Sequence, residues 1–548
     1  MVNFRILNHG LSLILCSILL QSSIWCIDAK KSQSTDKAYV TLLYGDEFVL
    51  GVRVLGKSIR DTGSKKDMVV LVSDGVSDYA KTLLEADGWI VEKISLLENP
   101  NRVRPTRFWG VYTKLKIFNM TNYKKVVYLD ADTIVIKSIE ELFRCGKFCA
   151  NLKHSERLNS GVLVVEPSKT LFSDMLQKVS TLPSYTGGDQ GFLNSYYAGF
   201  ADARLFDPSL SAEELKSRPV PEMERLSTLY NADVGLYMLA NKWMVDEKEL
   251  RVIHYTLGPL KPWDWWTAWL VKPVDLWQDI RQRVEESLPG TGGGRNPQDE
   301  FLVKALFMLP FIGLMFLYYR SLLQAFEFLG SLCRPSFWDR MRHLAVRLRT
   351  GVVHPFVAGS SSSAMNSKQQ LYSGLLPWFL GGMSISVCLL AVVISLGLAL
   401  LIVPRQVLPW TGLLLMYEWT FTIFILLFGG YLRLIYQWGK VNAVQAGLYS
   451  SDPESLDYDY GKGHQRQVFS YDAAVLYYGL GMAFLAIAVP SLPYLFGITA
   501  LFVRLGLMVV GGIVLAAFMA YASEHLAIQS FLKGLEDREM SWSRHTCW

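Results

Sequence analysis

Two textures divide the chain. From Ala38 to about residue 300, short apolar runs alternate with amphipathic stretches, whereas from 301 to 548 the apolar runs are long. Tyr39–Leu43, Met68–Val72 and Val126–Leu129 are nearly unbroken apolar segments, and Trp89–Val91 is a shorter one. Such runs suit strands covered on both faces. Between the first two, Val49, Val52, Leu55 and Ile59 fall on one helical stripe, and residues 76–87 and 111–119 also read as helices. The alternation predicts an α/β domain with a parallel sheet, in which ligands bind beyond the carboxyl ends of the strands.

The second half reads differently. A helix needs about 20 apolar residues to cross a bilayer. Five spans are expected, at 305–323, 374–403, 409–431, 473–493 and 497–522, and Leu389–Val403 carries no charge at all. At the N-terminus, Arg5 precedes an apolar run from Leu11 to Leu20 and then Gln21-Ser22-Ser23. Residues 1–29 therefore read as a signal peptide with cleavage near Ala29, or as an uncleaved signal anchor. Either form sends the next segment into the secretory lumen. The loop after the first span holds Arg334, Arg340, Arg342, Arg347, Arg349 and Lys368 against Glu327 and Asp339. The positive-inside rule makes that loop cytosolic and the preceding domain lumenal. The expected units are a lumenal α/β domain over 36–272, a linker over 273–300 and a transmembrane domain over 301–548. Glu418 falls inside a span, with Arg504 as a candidate partner.

Composition narrows the function classes. Hydrophobic residues make up 51% and charged residues 19%, which excludes a disordered chain and argues against a purely soluble one. The 54 Lys+Arg nearly balance 49 Asp+Glu, so no nucleic-acid partner is expected. Of seven cysteines only Cys145 and Cys149 lie in the expected lumenal domain, where an oxidising compartment suits a short-loop disulfide. Asn119-Met120-Thr121 is a glycosylation sequon, silent if it sits on a packed helix. Nothing in the sequence points to an oligomeric state.

Candidate chemistry sits where the sheet would place it. Asp130-Ala131-Asp132 leaves the strand Val126–Leu129, so two carboxylates one residue apart can reach one hard divalent cation, and the cation can bind diphosphate oxygens. Helix capping ahead of Ser138 is the structural alternative. A second such pair, Asp457 and Asp459, reads as a solvated loop.

Further motifs follow in a fixed order: Val40-Thr41-Leu42, Gly51-Val52-Arg53-Val54-Leu55-Gly56-Lys57-Ser58, Thr113-Lys114-Leu115, Asp130-Ala131-Asp132, Asn159-Ser160-Gly161, Gly188-Asp189-Gln190 and His254 to Trp263. The set resembles the glycogenin-type retaining glycosyltransferases of family 8, over about residues 38–270. With a multi-span tail attached, it is similar to the plant branch that moves glucuronate from UDP-glucuronate onto inositol phosphorylceramide in the Golgi. The resemblance implies a GT-A (Rossmann-like) nucleotide-sugar transferase domain followed by an α-helical multi-span transmembrane domain. It implies Mn2+ held by Asp130, Asp132 and His254, with Gly258 letting the backbone approach the diphosphate and Lys261 adding charge to it. Lys114 would face the donor. Leu42, Tyr44 and Phe48 would lie near uracil and ribose, although packing accounts equally for such residues. Asn159, Ser160, Gly161, Asp189 and Gln190 would surround the transferred sugar, with Asn159, Asp189 and Gln190 as catalytic candidates. The alternative for Asp189 is a helix N-cap, and for Asn159-Ser160-Gly161 a plain turn. Lys114 is equally well read as a solvated helix lysine.

Glucuronate as the donor sugar calls for a cation near its carboxylate, and Arg157, Arg104 and Arg107 are candidates by proximity. A sphingolipid acceptor gives a physical reason for five spans, and Trp263, Trp265, Trp266, Trp269 and Trp277 ahead of the first span read either as a membrane-interface belt or as domain core. Two other functions compete: transfer to a glycan or to the protein itself, as in xylan- or glycogenin-type enzymes, and a membrane transporter or scaffold with an inactive transferase domain.

Overall fold

The computed structural model describes residues 36–100, 110–153, 157–256, 258, 260–291, 300–316, 376–445 and 460–543. The N-terminal signal or anchor, the basic loop, the Asp457–Asp459 pair and Arg104 and Arg107 lie outside them.

Strands β1 (Lys37–Leu43), β2 (Asp67–Val72), β3 (Ile90–Lys93), β4 (Lys125–Leu129), β5 (Thr133–Val135), β6 (Phe148–Leu152), β7 (Leu158–Val165), β8 (Arg204–Leu205), β9 (Met223–Leu226), β10 (Ala232–Asp233) and β11 (Val252–His254) make two sheets. The large one runs β3-β2-β1-β4-β7-β6-β9-β8, and the small one β10-β11-β5. Apolar runs become central strands because both faces are covered. Tyr39 and Leu43 of β1 pack with the helices Val49–Asp61 and Asp78–Ala86, while Ala38, Val40 and Leu42 pack on the other face with Tyr112, Leu115 and Phe192. This period-2 division leaves no polar face to break the run.

The expected parallel pairing holds along β3-β2-β1-β4 and again along β6-β9-β8. β7 runs antiparallel to β4 and to β6, so the sheet is mixed. The cause is local: only residues 153–157 separate β6 from β7, too few for the crossover a parallel pair requires.

Two features bring the site together. β4 ends at Leu129, and Asp130-Ala131-Asp132 leads straight into β5. β11 pairs antiparallel with β5, setting His254 opposite Thr133, and the Tyr255 N–H donates to the Asp132 carbonyl at 2.9 Å. Gly51 lets this turn settle, because a Cβ there would stand 2.6 Å from the Ala131 carbonyl oxygen and from the Trp263 ring. Cys145 and Cys149 are joined in a disulfide beside buried Glu224. Residues Val274–Ser287, expected to link the halves, form a helix whose Trp277, Ile280 and Val284 are core of the α/β unit.

Among the described residues four helices are long and apolar enough to cross a membrane, within Leu380–Ile402, Pro409–Asn442, Ala474–Leu495 and Leu501–Asp537. They correspond to the last four expected spans. Residues 300–316 are helical as well, and the remainder of the expected span at 305–323 lies outside the described residues. Helices Pro409–Gln445 and Leu501–Ser543 cross at two glycines: a Cβ on Gly439 would strike the Phe531 carbonyl, and one on Gly534 the Tyr436 carbonyl. Small residues at such crossings let backbones approach where lipid supplies no hydrophobic drive. Arg504 does not pair with Glu418: its guanidinium donates to the carbonyls of Trp269 (3.0 Å) and Ile498.

The halves meet at both loops that join consecutive membrane helices on one side of the bundle. Gln406 Nε2 donates to the Glu47 carbonyl (2.7 Å), Arg281 Nη2 to the Gln406 carbonyl (2.5 Å), and Asn241 Nδ2 to Thr499 Oγ1 (3.0 Å). The tryptophans divide accordingly. Trp263 and Trp277 belong to the α/β core, while Trp265, Trp266 and Trp269 pack against Leu306, Val403 and Leu415 of the membrane half. Gly412 makes room for this contact, since a Cβ on it would land on Trp265.

Candidate active site

Asp130, Asp132 and His254 converge, with one potential ligand atom from each lying within 4.8 Å of the others. His254 Nε2 stands 3.3 Å from Asp132 Oδ1 and 3.9 Å from Asp130 Oδ2. Two carboxylates and an imidazole form a hard, anionic donor set suited to a divalent cation such as Mn2+ or Mg2+. Lys261 Nζ meets Asp132 Oδ2 at 2.6 Å. Burial would raise the Asp132 carboxyl, but His254 and Lys261 outweigh it and hold the group well below the usual carboxylate range.

Lys114 is not a solvated helix lysine. Its buried ammonium lies 3.0 Å from Asp130 Oδ1 and 3.1 Å from Asp189 Oδ2, and it donates to the Ser160 carbonyl at 3.1 Å. Burial works against its charge, yet the two carboxylates hold its pKa above the ordinary lysine value. Lys114 thus joins the metal-type cluster to Asp189. Tyr128 donates to Asp130 Oδ1 at 2.7 Å. Burial and the Asp189 and Asp130 carboxylates raise the Tyr44 phenol well above its ordinary range, which keeps it a donor.

Asp189 does not cap its helix with its side chain. Gly188 occupies the N-cap, and Asp189 Oδ2 instead accepts from Ser160 Oγ at 2.8 Å. Gln190 Oε1 accepts from Asn159 Nδ2 (3.1 Å), and Gln190 Nε2 donates to the Tyr185 hydroxyl (3.0 Å). Gly258 adopts φ +63°, left-handed backbone that favours glycine. Phe48 packs edge-on against Trp263 with centroids 5.6 Å apart, and Leu42 is strand core at 5% exposure. Arg157 is exposed and stacks 4.1 Å over the Tyr185 ring.

A family model described as Glycosyl transferase family 8 matches residues 39–147. Inositol phosphorylceramide glucuronosyltransferase 1 of Arabidopsis thaliana is 66% identical over 542 residues, 98% of this chain and 98% of its own. The chain belongs to the inositol phosphorylceramide glucuronosyltransferase branch of glycosyl transferase family 8. UDP-glucuronate:xylan alpha-glucuronosyltransferase 1 of the same plant is 34% identical over 162 residues, 29% of this chain and 25% of its own. Among solved structures, galactosyltransferase LgtC in complex with donor and acceptor sugar analogs matches 44% of this chain and 94% of its own, at 18% identity and a TM-score of 0.32. Membership of this glycosyltransferase branch makes the chain an enzyme, in place of an inactive transporter or scaffold.

In this glucuronosyltransferase-branch chain one site residue escaped the sequence reading. Asn231, fully buried, joins His254 to Asn159. The Gly161 N–H must be a donor, so the oxygen it meets at 3.0 Å is Asn159 Oδ1. Asn231 then donates Nδ2 to that oxygen (2.8 Å) and turns Oδ1 toward His254 Nδ1 (2.9 Å). Nδ1 therefore carries a proton, and Nε2 is the ring nitrogen on the side of the two aspartates, where its lone pair would be offered to a bound cation, the outer-shell arrangement of a metal-binding histidine. The available signal was Tyr230-Asn231 itself, a polar residue directly before a short strand.

Proposed function

We propose that the enzyme moves glucuronate from UDP-glucuronate to the inositol headgroup of inositol phosphorylceramide, using Mn2+ at Asp130, Asp132 and His254. The observation that carries this reading is the continuous cluster from His254 through Asp132, Asp130 and Lys114 to Asp189, in a chain 66% identical to a glucuronosyltransferase of that acceptor along almost its whole length. The bound ion would supply positive charge for the UDP diphosphate. Lys261 would add a point charge to the same leaving group, and Gly258 would let the backbone come close. Electrostatic stabilisation of developing charge usually contributes more to such transfers than any other single effect. Lys114 holds Asp130 and Asp189 in place between the diphosphate and the sugar. Ser160 and Lys114 both engage Asp189 Oδ2, which would leave Oδ1 to face the anomeric carbon. Asn159 and Gln190, bonded to each other, would fix the sugar hydroxyls. The test is transfer by microsomes expressing the chain, offered each UDP-sugar with inositol phosphorylceramide, with and without chelator. Chelator-sensitive glucuronate transfer to the lipid supports the reading, and transfer confined to soluble glycans or to the protein contradicts it.

For the donor sugar, Arg157 is placed at the Tyr185–Gln190 edge of the cluster. A guanidinium–carboxylate bond contributes about 1.5–3 kcal/mol. Arg157→Leu is therefore expected to lower kcat/KM for UDP-glucuronate by about 10–100-fold, and for UDP-glucose far less. Equal losses with both donors would remove Arg157 from the carboxylate site.

The orientation proposed is a multi-pass Golgi protein with the transferase half in the lumen. Contacts at Gln406 and Thr499 fit the alternation of spans, which puts both loops on the side of the transferase half, and it is the basic loop after the first span that argues for that side being the lumen. Asn119 and Thr121 are exposed, at the end of a 3-10 turn. In cells, endoglycosidase should speed the migration of wild-type protein on a gel and leave Asn119→Gln unchanged. Absence of glycan on the wild type would count against a lumenal domain.

A further inference from the structure

Asp264 lies where the two halves meet, and its carboxylate serves both. Oδ2 accepts the Lys261 backbone N–H at 3.2 Å and the Arg405 guanidinium at 2.8 Å. Arg405 belongs to the loop between the helices Leu380–Ile402 and Pro409–Gln445. Its carbonyl accepts the Trp265 N–H at 3.0 Å, and its guanidinium lies 5.4 Å from the Trp266 ring centroid. Thr267 Oγ1 closes the same turn by donating to the Lys261 carbonyl at 2.9 Å. On the far side of the turn Lys261 Nζ reaches Asp132. A relay thus runs from a membrane loop through Arg405, Asp264 and the Lys261 backbone to the site.

We infer that Arg405 is a positioning residue for the nucleotide donor, through which the membrane half holds Lys261 toward the diphosphate. The Asp264 side chain is 1% exposed and that of Arg405 61%, so removing Arg405 leaves a buried carboxylate without its cation while opening no cavity. A buried charge deprived of its partner drives local rearrangement, and the segment bonded directly to that carboxylate is the turn that carries Lys261. The transferase half would then depend on the bundle for its donor site, beyond being tethered by it.

This inference rests on the donor reading proposed above, so the probe is UDP itself with Mn2+, measured by calorimetry on the full chain in nanodiscs. Arg405→Ala should weaken UDP binding about tenfold, and Arg405→Lys should recover most of it, the scale expected for loss of a charge-assisted contact. In Lys261→Ala, adding Arg405→Ala should cost less than about twofold more, since residues acting through one group are not additive. Asp264→Asn combined with Arg405→Ala removes the orphaned charge and keeps an oxygen for the Lys261 N–H, so it should recover most of both the thermal stability and the UDP affinity that Arg405→Ala loses. Unchanged UDP affinity in Arg405→Ala, or effects of Arg405 and Lys261 that multiply, would overturn the relay and leave the donor site standing. No UDP binding by the wild type would overturn the donor reading and the relay with it.

Discussion

Replacing Asp130 and Asp132 together by alanine is expected to lower kcat/KM for lipid glucuronosylation by at least about 10³-fold, because each lost charge-stabilising group at a transfer site typically costs 10²–10³. The two carboxylates face His254 Nε2 at 3.9 and 3.3 Å, and with them gone one imidazole is left to hold a cation. Lys114 keeps Asp189 as its partner, so the buried ammonium is not orphaned and the fold should persist. Asp130→Asn with Asp132→Asn, which keeps shape and removes charge, should fail to the same extent, and thermal unfolding of both variants checks integrity. Activity within tenfold of wild type would show that the carboxylates do not carry the reaction.

Gly161→Ala should be nearly as damaging although it touches no charge. A Cβ at residue 161 would fall on the His254 ring, 2.5 Å from Nδ1, and would crowd Asn159 Oδ1 at 3.0 Å. The ring cannot yield without breaking its bond to Asn231, so Nε2 swings away from the aspartates. A displacement of about 1 Å at a reacting centre can cost about 100-fold. The expected result is therefore about a 100-fold loss of kcat/KM for lipid glucuronosylation, together with weaker Mn2+ affinity. An alanine variant with full activity and unchanged Mn2+ affinity would mean that His254 is not a ligand.

These two cases also show what the sequence could disclose. Apolar runs located β1, β2 and β4 because each is buried on both faces, and the end of β4 placed Asp130 and Asp132 at the carboxyl edge. The reversal at β7 was hidden, since strand direction depends on the short link 153–157 and not on the run Val162–Val165. Helix length beyond the apolar core was equally hidden: the helix Leu501–Ser543 continues well past the expected end at 522, where its residues no longer need to be apolar. Asn159-Ser160-Gly161 could be read as a motif, but not the reason for its glycine, which is the His254 ring lying over it. The role of Asn231 could not be read from Tyr230-Asn231 alone, because a buried amide that orients a histidine shows only when Asn231, His254 and Asn159 are brought together in space. The tryptophans were undecided between core and membrane belt, and the structure divides them: two close the α/β core and three form the seam with the bundle.

That seam gives the multi-span tail a physical role. Retention in a membrane needs one helix, whereas the bundle here presents Arg405, Gln406 and Thr499 to the transferase half. An acceptor carried in the bilayer would meet a donor site held at a fixed height above it. Position relative to the lipid plane is then set by packing at Trp265 and Gly412 and not by a loose tether.

The most direct test is equilibrium dialysis of the detergent-solubilised full chain against Mn2+ and UDP. Wild type should take up both in stoichiometric amounts, each increasing the uptake of the other, and the Asp130→Ala, Asp132→Ala double variant should take up neither at the same concentrations. Undiminished uptake of Mn2+ and UDP by that variant would contradict a donor site built on Asp130, Asp132 and His254.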